Sequence, residues 1–529
     1  MPGLVAAVLV ALTVIGALCG LAIHAGNIPL LEQLGKSYTW SIIRFTFAQA
    51  ALSTLFSVVL AVPLARALYR RQHFFGRELL IRFTSISLIV PTMVAVLGII
   101  AVHGRNGWIN DLLTLIGFSR QDYLYGLNGI LIAHVFFNLP LVTRLFLNGL
   151  SDIPAYQWKL ATLLGFNSRQ NFKLIEWPAI RGLVPGATGI VFLLCFTSFA
   201  IVLSLGGGPG STTLEVAIYQ AIRFDFDLSK AVALSLIQIG LCLVLAFLFF
   251  SKQPVLKLQS DQPPGVDRPD SGQVMGIVQD NLVISLAAIF LVSPFAAVLI
   301  NSLSGNGWVI LADQRFWRAF RSSIFISLSA GMLATILGLS IAHLIAKLRH
   351  NQASSWLGTI PELVGMLTLL IPPITLGTGL FLLFRSFTDA LSLGQWLVIL
   401  INALFTLAFT LRILVAPVQQ QHNRFLHLSR SLGVTGWNQW QLVLWPTLKK
   451  PICYAMAVST TLSAGDMGVI ALFGTDRLST LPLLIYRLLG NYRLDQAAVV
   501  AICLCTLCLF LFWSIEKLAH TPAGFKSHA

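Results

Sequence analysis

Apolar runs of about 20 residues recur along almost the whole chain, separated by short polar stretches. A run of this length spans the hydrocarbon core of a bilayer as an α-helix, because a helix satisfies its own backbone hydrogen bonds where water is absent. The pattern predicts an all-α polytopic membrane protein with about 12 transmembrane helices. The predicted spans are 4–24, 45–66, 83–103, 127–149, 183–205, 229–250, 279–302, 321–345, 360–384, 394–416, 452–473 and 496–514. The first run lacks the basic start of a signal peptide, so we predict an uncleaved helix.

A polar stretch rich in turn-forming residues separates the sixth predicted span from the seventh. It contains Gln253-Pro254 and the run Asp261-Gln262-Pro263-Pro264-Gly265, a composition typical of a linker. The sequence therefore predicts two six-helix halves, residues 1–251 and 279–529, joined by a linker at 252–278.

The two halves carry the same pattern of glycine, proline and arginine residues at a constant separation. Gly165 is followed by Pro178, and Gly433 is followed at the same distance by Pro446. The step from Gly165 to Gly433 also relates Arg144 to Arg412 and Gly206 to Gly474. The order runs the same way in both halves, and each half has an even number of spans. The halves are therefore predicted to be parallel repeats about an axis normal to the membrane.

Charge predicts which way the chain is oriented. Lys and Arg collect in the loops after the second, eighth and tenth predicted spans, and the positive-inside rule places those loops in the cytoplasm together with both termini and the linker. The residues concerned are Arg66, Arg70, Arg71, Arg77, Arg82, Lys347, Arg349, Arg424, Arg430, Lys449 and Lys450. Contrary signals come from Lys36, Arg44, Arg315, Arg318 and Arg321.

Composition narrows the function classes. The chain is 56% hydrophobic and 10% charged, far from the roughly 25% charged residues of soluble domains. Its net charge of +15 fits basic cytoplasmic loops, and no nucleic-acid-binding motif accompanies it. The seven cysteines lie in apolar runs, so neither disulfides nor a metal site are expected, and no catalytic constellation or cofactor motif is found.

The two longest cytoplasmic loops are polar but patterned. We call residues 152–178 the first polar segment and residues 424–450 the second polar segment. In the first, Leu160, Leu163, Leu164 and Phe172 recur near helical spacing, which predicts short amphipathic helices with a turn at Gly165. A proline then begins the next helix, where its missing N–H costs nothing. Such a loop, present twice, indicates a docking site for a partner.

Both segments resemble the EAA loop of ABC-importer permeases, whose pattern is Glu-Ala-Ala, three residues, Gly, nine residues and Ile-x-Leu-Pro. Gly165 with Ile175-x-Trp177-Pro178 fits this spacing, and so does Gly433 with Val443-x-Trp445-Pro446. The opening triplets differ, because Lys159-Leu160-Ala161 and His427-Leu428-Ser429 replace Glu-Ala-Ala.

In this family the loop fits a groove on an ATPase subunit. The resemblance thus implies two tandem type I importer domains in the bacterial inner membrane, two copies of a cytoplasmic ATPase and a periplasmic binding protein. It assigns the coupling role to Ala161, Gly165, Ile175, Pro178, Gly433, Val443 and Pro446.

Two further stretches narrow the resemblance to thiamine permeases of the ABC-importer class. The run 196–209, Phe-Thr-Ser-Phe-Ala-Ile-Val-Leu-Ser-Leu-Gly-Gly-Gly-Pro, is similar to their fifth helix, and 214–220 and 465–474 continue the likeness. The resemblance implies transport of thiamine and its phosphates, delivered by a thiamine-binding protein. Fused ferric-iron permeases share the layout and remain the alternative substrate class.

The chain has no ATP site of its own. The run 206–213 is rich in glycine but lacks the lysine and the glycine spacing of a phosphate loop. The resemblance therefore places ATP hydrolysis on a separate subunit.

Asp466 is an acid in apolar surroundings, and such a residue usually faces a cavity or a partner. It lines a translocation path together with Ser198 and Phe199, or it caps or pairs within the helix bundle or packs beside Gly465 and Gly468 at a helix crossing. Both interpretations remain open at this point.

Two other classes compete with an importer subunit. An ion-coupled secondary transporter would favour several intramembrane charges, whereas Asp466 is the one acid that lies well inside a predicted span rather than at its end. A membrane scaffold explains the polar segments but not the duplicated, pore-like layout.

Overall fold

The computed structural model describes residues 2–25, 30–72, 74–86, 90–250, 272, 274–303, 305–350, 358–385, 393–434 and 436–520, and every regular element among them is a helix. The first half comprises α1 Pro2–Ala25, α2 Leu30–Gly35, α3 Ser37–Arg70, α4 Arg77–Ile86, α5 Thr92–His103, α6 Trp108–Leu115, α7 Leu127–Ser151, α8 Ala155–Leu163, α9 Ser168–Asn171, α10 Trp177–Arg181, α11 Val184–Phe196, α12 Ala200–Leu205, α13 Leu214–Arg223 and α14 Leu228–Phe250. The second half comprises α15 Val274–Leu303, α16 Gln314–His350, α17 Thr359–Leu370, α18 Pro373–Arg385, α19 Gly394–Ser431, α20 Gly436–Gln439, α21 Trp445–Gly465, α22 Gly468–Phe473, α23 Leu481–Gly490 and α24 Leu494–His520. Short π-helices cover Phe172–Glu176 and Trp440–Leu444, and 3₁₀ turns cover Pro209–Ser211 and Gly307–Ala312.

The predicted fold class, an all-α polytopic membrane protein, is confirmed. Within the described ranges, eight helices are long and apolar enough to cross a membrane, namely α1, α3, α7, α14, α15, α16, α19 and α24. A bent pair, Ser168–Arg181 with Val184–Phe196, would make a ninth. The predicted linker, 252–278, lies mostly outside the described residues. Helix α15 begins at Val274, and the division into two domains stays a prediction.

The other four predicted spans are interrupted helices, and the interruptions recur in both halves. The spans 83–103 and 360–384 break near Pro91 and Pro372, because proline lacks an N–H and clashes with the preceding turn. The spans 183–205 and 452–473 break at residues 197–199 and at Asp466. These spans are therefore pairs of shorter helices. Pro91 and Pro372-Pro373 predict the first two breaks from sequence, whereas the pattern of apolar residues does not distinguish the other two spans from continuous helices.

The repeat appears as the same contact made twice. The Leu214 backbone N–H donates to Thr46 Oγ1 at 3.1 Å, and the Leu481 N–H donates to Ser323 Oγ at 2.9 Å. In each half a hydroxyl of a long helix, α3 or α16, thus satisfies the first N–H of a short helix, α13 or α23, a group that has no partner within its own helix. The step from Thr46 to Ser323 therefore relates corresponding positions in the early part of each half, and we call it the early offset.

The two halves are interlocked through their first helices. Helix α1 packs on α16 and α18 of the second half, and α15 packs on α3 and α5 of the first half. The crossings rely on glycine: a Cβ at Gly379 would overlap the Ala17 carbonyl, and one at Gly98 would overlap the Pro294 carbonyl. The early offset also relates Ala17 to Pro294. Small residues that let backbones approach closely are how helices associate in a bilayer.

These crossings predict the effect of a larger side chain. Gly98→Val and Gly379→Val force the paired helices apart, at a cost of about 1–3 kcal/mol for each overpacked site. We expect each variant to lower the midpoint of thermal unfolding in detergent. Gly240→Val on α14 is the matched control, because a Cβ there meets nothing within 4 Å. Equal midpoints for all three variants would contradict the close crossings.

Candidate functional site

The two glycines singled out by the sequence form the same turn. Gly165 has φ +64° and Gly433 has φ +65°, the left-handed conformation that glycine adopts without strain. The Phe166 N–H donates to the Ala161 carbonyl at 3.0 Å, and the Val434 N–H donates to the Ser429 carbonyl at 2.9 Å. Each bond is the 6→1 hydrogen bond of a Schellman motif, which ends a helix with a glycine in the left-handed conformation.

This turn explains the third position of each opening triplet. Ala161 and Ser429 supply the accepting carbonyls and are both buried. A small side chain fits there, where a long one would not. The first triplet position faces outward instead: Lys159 is exposed, so replacing a glutamate by lysine there changes the outer surface and leaves the turn intact.

The segments also share a π-helix, which the sequence did not predict. Phe172–Glu176 and Trp440–Leu444 occupy equivalent places, and each leads directly into a helix with proline in its first turn. Ile175 is buried, Val443 is half-buried, and Pro178 and Pro446 are exposed. Such π-helical turns are rare and are frequent at functional sites.

The first polar segment is held against α3 by a buried ion pair. Arg66 Nε donates to Glu176 Oε2 at 2.5 Å, and Glu176 is fully buried. Arg66 Nη2 also donates to the Ser168 carbonyl at 2.7 Å, and the guanidinium lies 4.9 Å from the Phe172 ring centre. One arginine therefore fixes α9 and the π-helix together.

The second polar segment is held by different chemistry at the equivalent place. By the early offset, His343 on α16 corresponds to Arg66, and Trp440 corresponds to Phe172 as the first residue of its π-helix. The rings of His343 and Trp440 lie 6.3 Å apart, centre to centre. Leu444 stands where the first segment has Glu176, so no ion pair forms between these two positions.

Both segments expose large apolar side chains although the sequence predicts them to be cytoplasmic loops. Leu163 is 84% exposed and Trp437 is 73% exposed. The others are Tyr156, Leu160, Leu164, Leu174, Trp177, Leu432, Leu442 and Trp445. Apolar surface of this kind, in a segment predicted to lie outside the membrane, is typical of a docking surface.

The two helix breaks of the fifth and eleventh predicted spans lie side by side. Phe199, buried at the first break, approaches within 3.9 Å of the position of a Cβ on Gly468, at the second break. Ser198 is half-buried beside Phe199. The Cys195 carbonyl, at the end of α11, accepts a hydrogen bond from Gln49 Nε2 at 2.9 Å, so Gln49 supports the break from α3.

Asp466 sits at the second break and is half-buried. Its carboxylate accepts from the Gly468 N–H at 3.3 Å and from the Val469 N–H at 3.4 Å, and it thereby caps α22. The capping interpretation describes this geometry. A role in the path is compatible with it, because the same carboxylate lies next to the Phe199 break.

Sequence reasoning missed the anchors of the first segment. Glu176 gave a weak signal, since it is the acid within the Ile-x-Trp-Pro pattern, but its partner Arg66 is 110 positions earlier. Asp280 of the second half pairs with Arg70 and Arg71 of the first half. It gave no signal in the sequence beyond its place at the start of an apolar run. Among the described residues, no group of three or more His, Cys, Asp or Glu could hold a metal ion.

Comparison with known proteins identifies the family. Residues 57–252 match the family described as "Binding-protein-dependent transport system inner membrane component". The thiamine transport system permease protein of Salmonella typhimurium is 40% identical over 517 residues, which cover 98% of this chain and 96% of that protein. The Brucella abortus protein of the same name is 39% identical over 508 residues, which cover 95% and 92%.

A more distant relative carries the name of the alternative substrate class. The putative ferric transport system permease protein of Haemophilus influenzae is 22% identical over 436 residues, covering 78% of this chain and 67% of that protein. The paired polar segments, the paired helix breaks and a match of 40% over nearly the whole length agree. The chain belongs to the family of thiamine transport system permease proteins, which are permease subunits of binding-protein-dependent ABC importers.

Proposed function

We propose that this chain forms the transmembrane path of an ATP-driven importer for thiamine and its phosphates in the bacterial inner membrane. A periplasmic thiamine-binding protein delivers the substrate, and a separate ATPase subunit hydrolyses ATP. The observation that carries the proposal is the pair of polar segments: each has the same left-handed glycine turn, the same π-helix and an exposed apolar face.

Two copies of the ATPase subunit fit this arrangement, one on each segment. The equivalent backbone geometry of the two segments offers two equivalent surfaces, and identical subunits are the simplest partners for them. The segments lie in the loops that the positive-inside rule assigns to the cytoplasm, and both termini lie on the same side in this proposal.

The mechanism is alternating access. When the ATPases close on ATP they move the two segments, and the segments carry the helices to which Arg66 and His343 hold them. The halves then rotate about the line where the broken helices meet. Non-helical backbone is tolerated at membrane depth where it is buried in protein or lines a cavity, which suits a path at this place.

The substrate assignment rests on the relatives, because those of 40% and 39% identity are named for thiamine transport. The proposed path suits such a substrate: thiamine carries a cationic ring, which a carboxylate such as Asp466 and an aromatic face such as Phe199 attract.

The glycine turns give the most direct test of the docking role. Gly165→Pro and Gly433→Pro cannot adopt the positive φ, and the first also removes the N–H that donates to the Thr162 carbonyl at 3.1 Å. We expect each variant to lose most of its ATP-driven thiamine uptake in proteoliposomes and to bind the ATPase poorly. The cost of misfolding the turn is about 1–3 kcal/mol or more.

Gly165→Asn and Gly433→Asn are the matched controls, because asparagine tolerates this conformation and a Cβ at either site meets nothing within 4 Å. The controls should keep most of the uptake. Uptake at the wild-type level in both proline variants would reject the docking role of the segments.

Asp466→Asn separates the two roles of that residue. Asparagine caps a helix about as well as aspartate, so α22 stays intact while the charge is removed. We expect the variant to assemble with the ATPase normally and to lose thiamine uptake. Asp466→Ala, which loses the cap as well, should be less stable in addition. Normal uptake by Asp466→Asn would leave capping as the sole role.

A further inference from the structure

Three charged side chains connect the two halves at the end of α3. Arg71 Nε donates to Asp280 Oδ2 at 2.9 Å, and Arg70 Nη1 lies 3.3 Å from Asp280 Oδ1. Asp280 belongs to α15, the first helix of the second half, whereas both arginines belong to the first half. The side chains of Arg70 and Asp280 are 3% and 8% exposed, so this contact is buried.

The same arginines reach the first polar segment. Arg70 Nη2 donates to Ser168 Oγ at 3.0 Å, and Arg66 Nη2 donates to the same oxygen at 3.0 Å. Ser168 begins α9, immediately before the π-helix. An unbroken series of hydrogen bonds thus leads from Glu176 through Arg66, Ser168 and Arg70 to Asp280. Arg66, Arg70 and Asp280 border a cleft of about 340 Å³ between the segment and α15.

The equivalent positions of the second half carry different residues. By the early offset, Arg70 and Arg71 become Lys347 and Leu348, and Asp280 becomes Gly3. Gly3 is buried against α16, and a Cβ there would overlap the Ser340 carbonyl, so no carboxylate fits. Arg349 instead pairs with Glu362 inside the second half. Of the two equivalent crossings, the one at Asp280 therefore carries this ionic contact and the one at Gly3 does not.

We propose that Asp280 is a positioning residue for energy coupling, because it ties the first polar segment to the first helix of the second half. When an ATPase moves the first segment, the displacement reaches α15 directly through Arg70 and Arg71. The second segment moves its own half through His343 and Trp440. The two docking sites are thus unequal, because an ionic contact ties the first one to the opposite half, whereas α1 meets α16 by close packing at Gly3. This inference rests on the docking role proposed above.

The test uses the full complex of this chain, the ATPase and the binding protein in proteoliposomes, and measures thiamine transported per ATP hydrolysed. Asp280→Asn removes the carboxylate from two arginines at a buried contact. We expect ATP hydrolysis and ATPase binding to persist, and the ratio to fall by about two- to thirtyfold, the range seen when residues that couple sites are changed. Asp280→Glu should restore much of the ratio. A residue that merely stabilises the fold would lower transport and hydrolysis together and leave the ratio unchanged.

Asp225→Asn is the matched control. Asp225 pairs with Lys230 at 2.9 Å in an exposed pair on the opposite side of the predicted bilayer, and its ratio should equal that of the wild type. Arg71→Gln is a second route to the same contact if Asp280→Asn folds poorly, and it should lower the ratio in the same way.

The outcomes separate the two proposals. A wild-type ratio in Asp280→Asn and Arg71→Gln, with ATP-driven uptake intact, overturns the coupling role of Asp280 and leaves the proposed function standing. Uptake by the wild-type complex that does not depend on ATP overturns both the proposed function and the coupling role of Asp280.

Discussion

The hydrocarbon core of the bilayer offers no hydrogen-bond partner, and this constraint governs the whole molecule. It requires continuous helices wherever the chain meets lipid, and it admits broken helices only where protein covers them. The breaks at 197–199 and at Asp466 meet this condition, because each is packed against the other and supported by polar groups such as Gln49 and the Asp466 carboxylate. These two helix breaks therefore lie in the protein interior, where the two halves meet.

The duplication keeps the backbone and alters the side chains. The glycine turns agree closely in φ, and the π-helices fall at equivalent positions. The anchors differ: an ion pair between Arg66 and Glu176 in one half, a ring contact between His343 and Trp440 in the other. A fused chain allows this divergence, since its two halves are free to specialise while they present similar surfaces to two partners.

Sequence patterns predicted the structural features that depend on residues close together in the chain. The apolar runs predicted the helices, and the spacing of Gly165 and Gly433 predicted turns that the structure places where expected. Two classes of feature were not predicted from the sequence, namely helix breaks without proline and contacts between distant residues. Interrupted helices look continuous in composition, so the break at Thr197 had no signal as clear as proline. Contacts such as Arg70 with Asp280 join residues 210 positions apart, and no short-range pattern encodes such a pair.

The central claim is that an external ATPase moves the two polar segments relative to each other. The most direct measurement is the distance between spin labels at Arg169 and Asn438, which are exposed positions on the two segments. In the complex with the ATPase, binding of a non-hydrolysable ATP analogue should shorten this distance, and the analogue should have no effect on the permease alone. An unchanged distance in the complex would contradict the account.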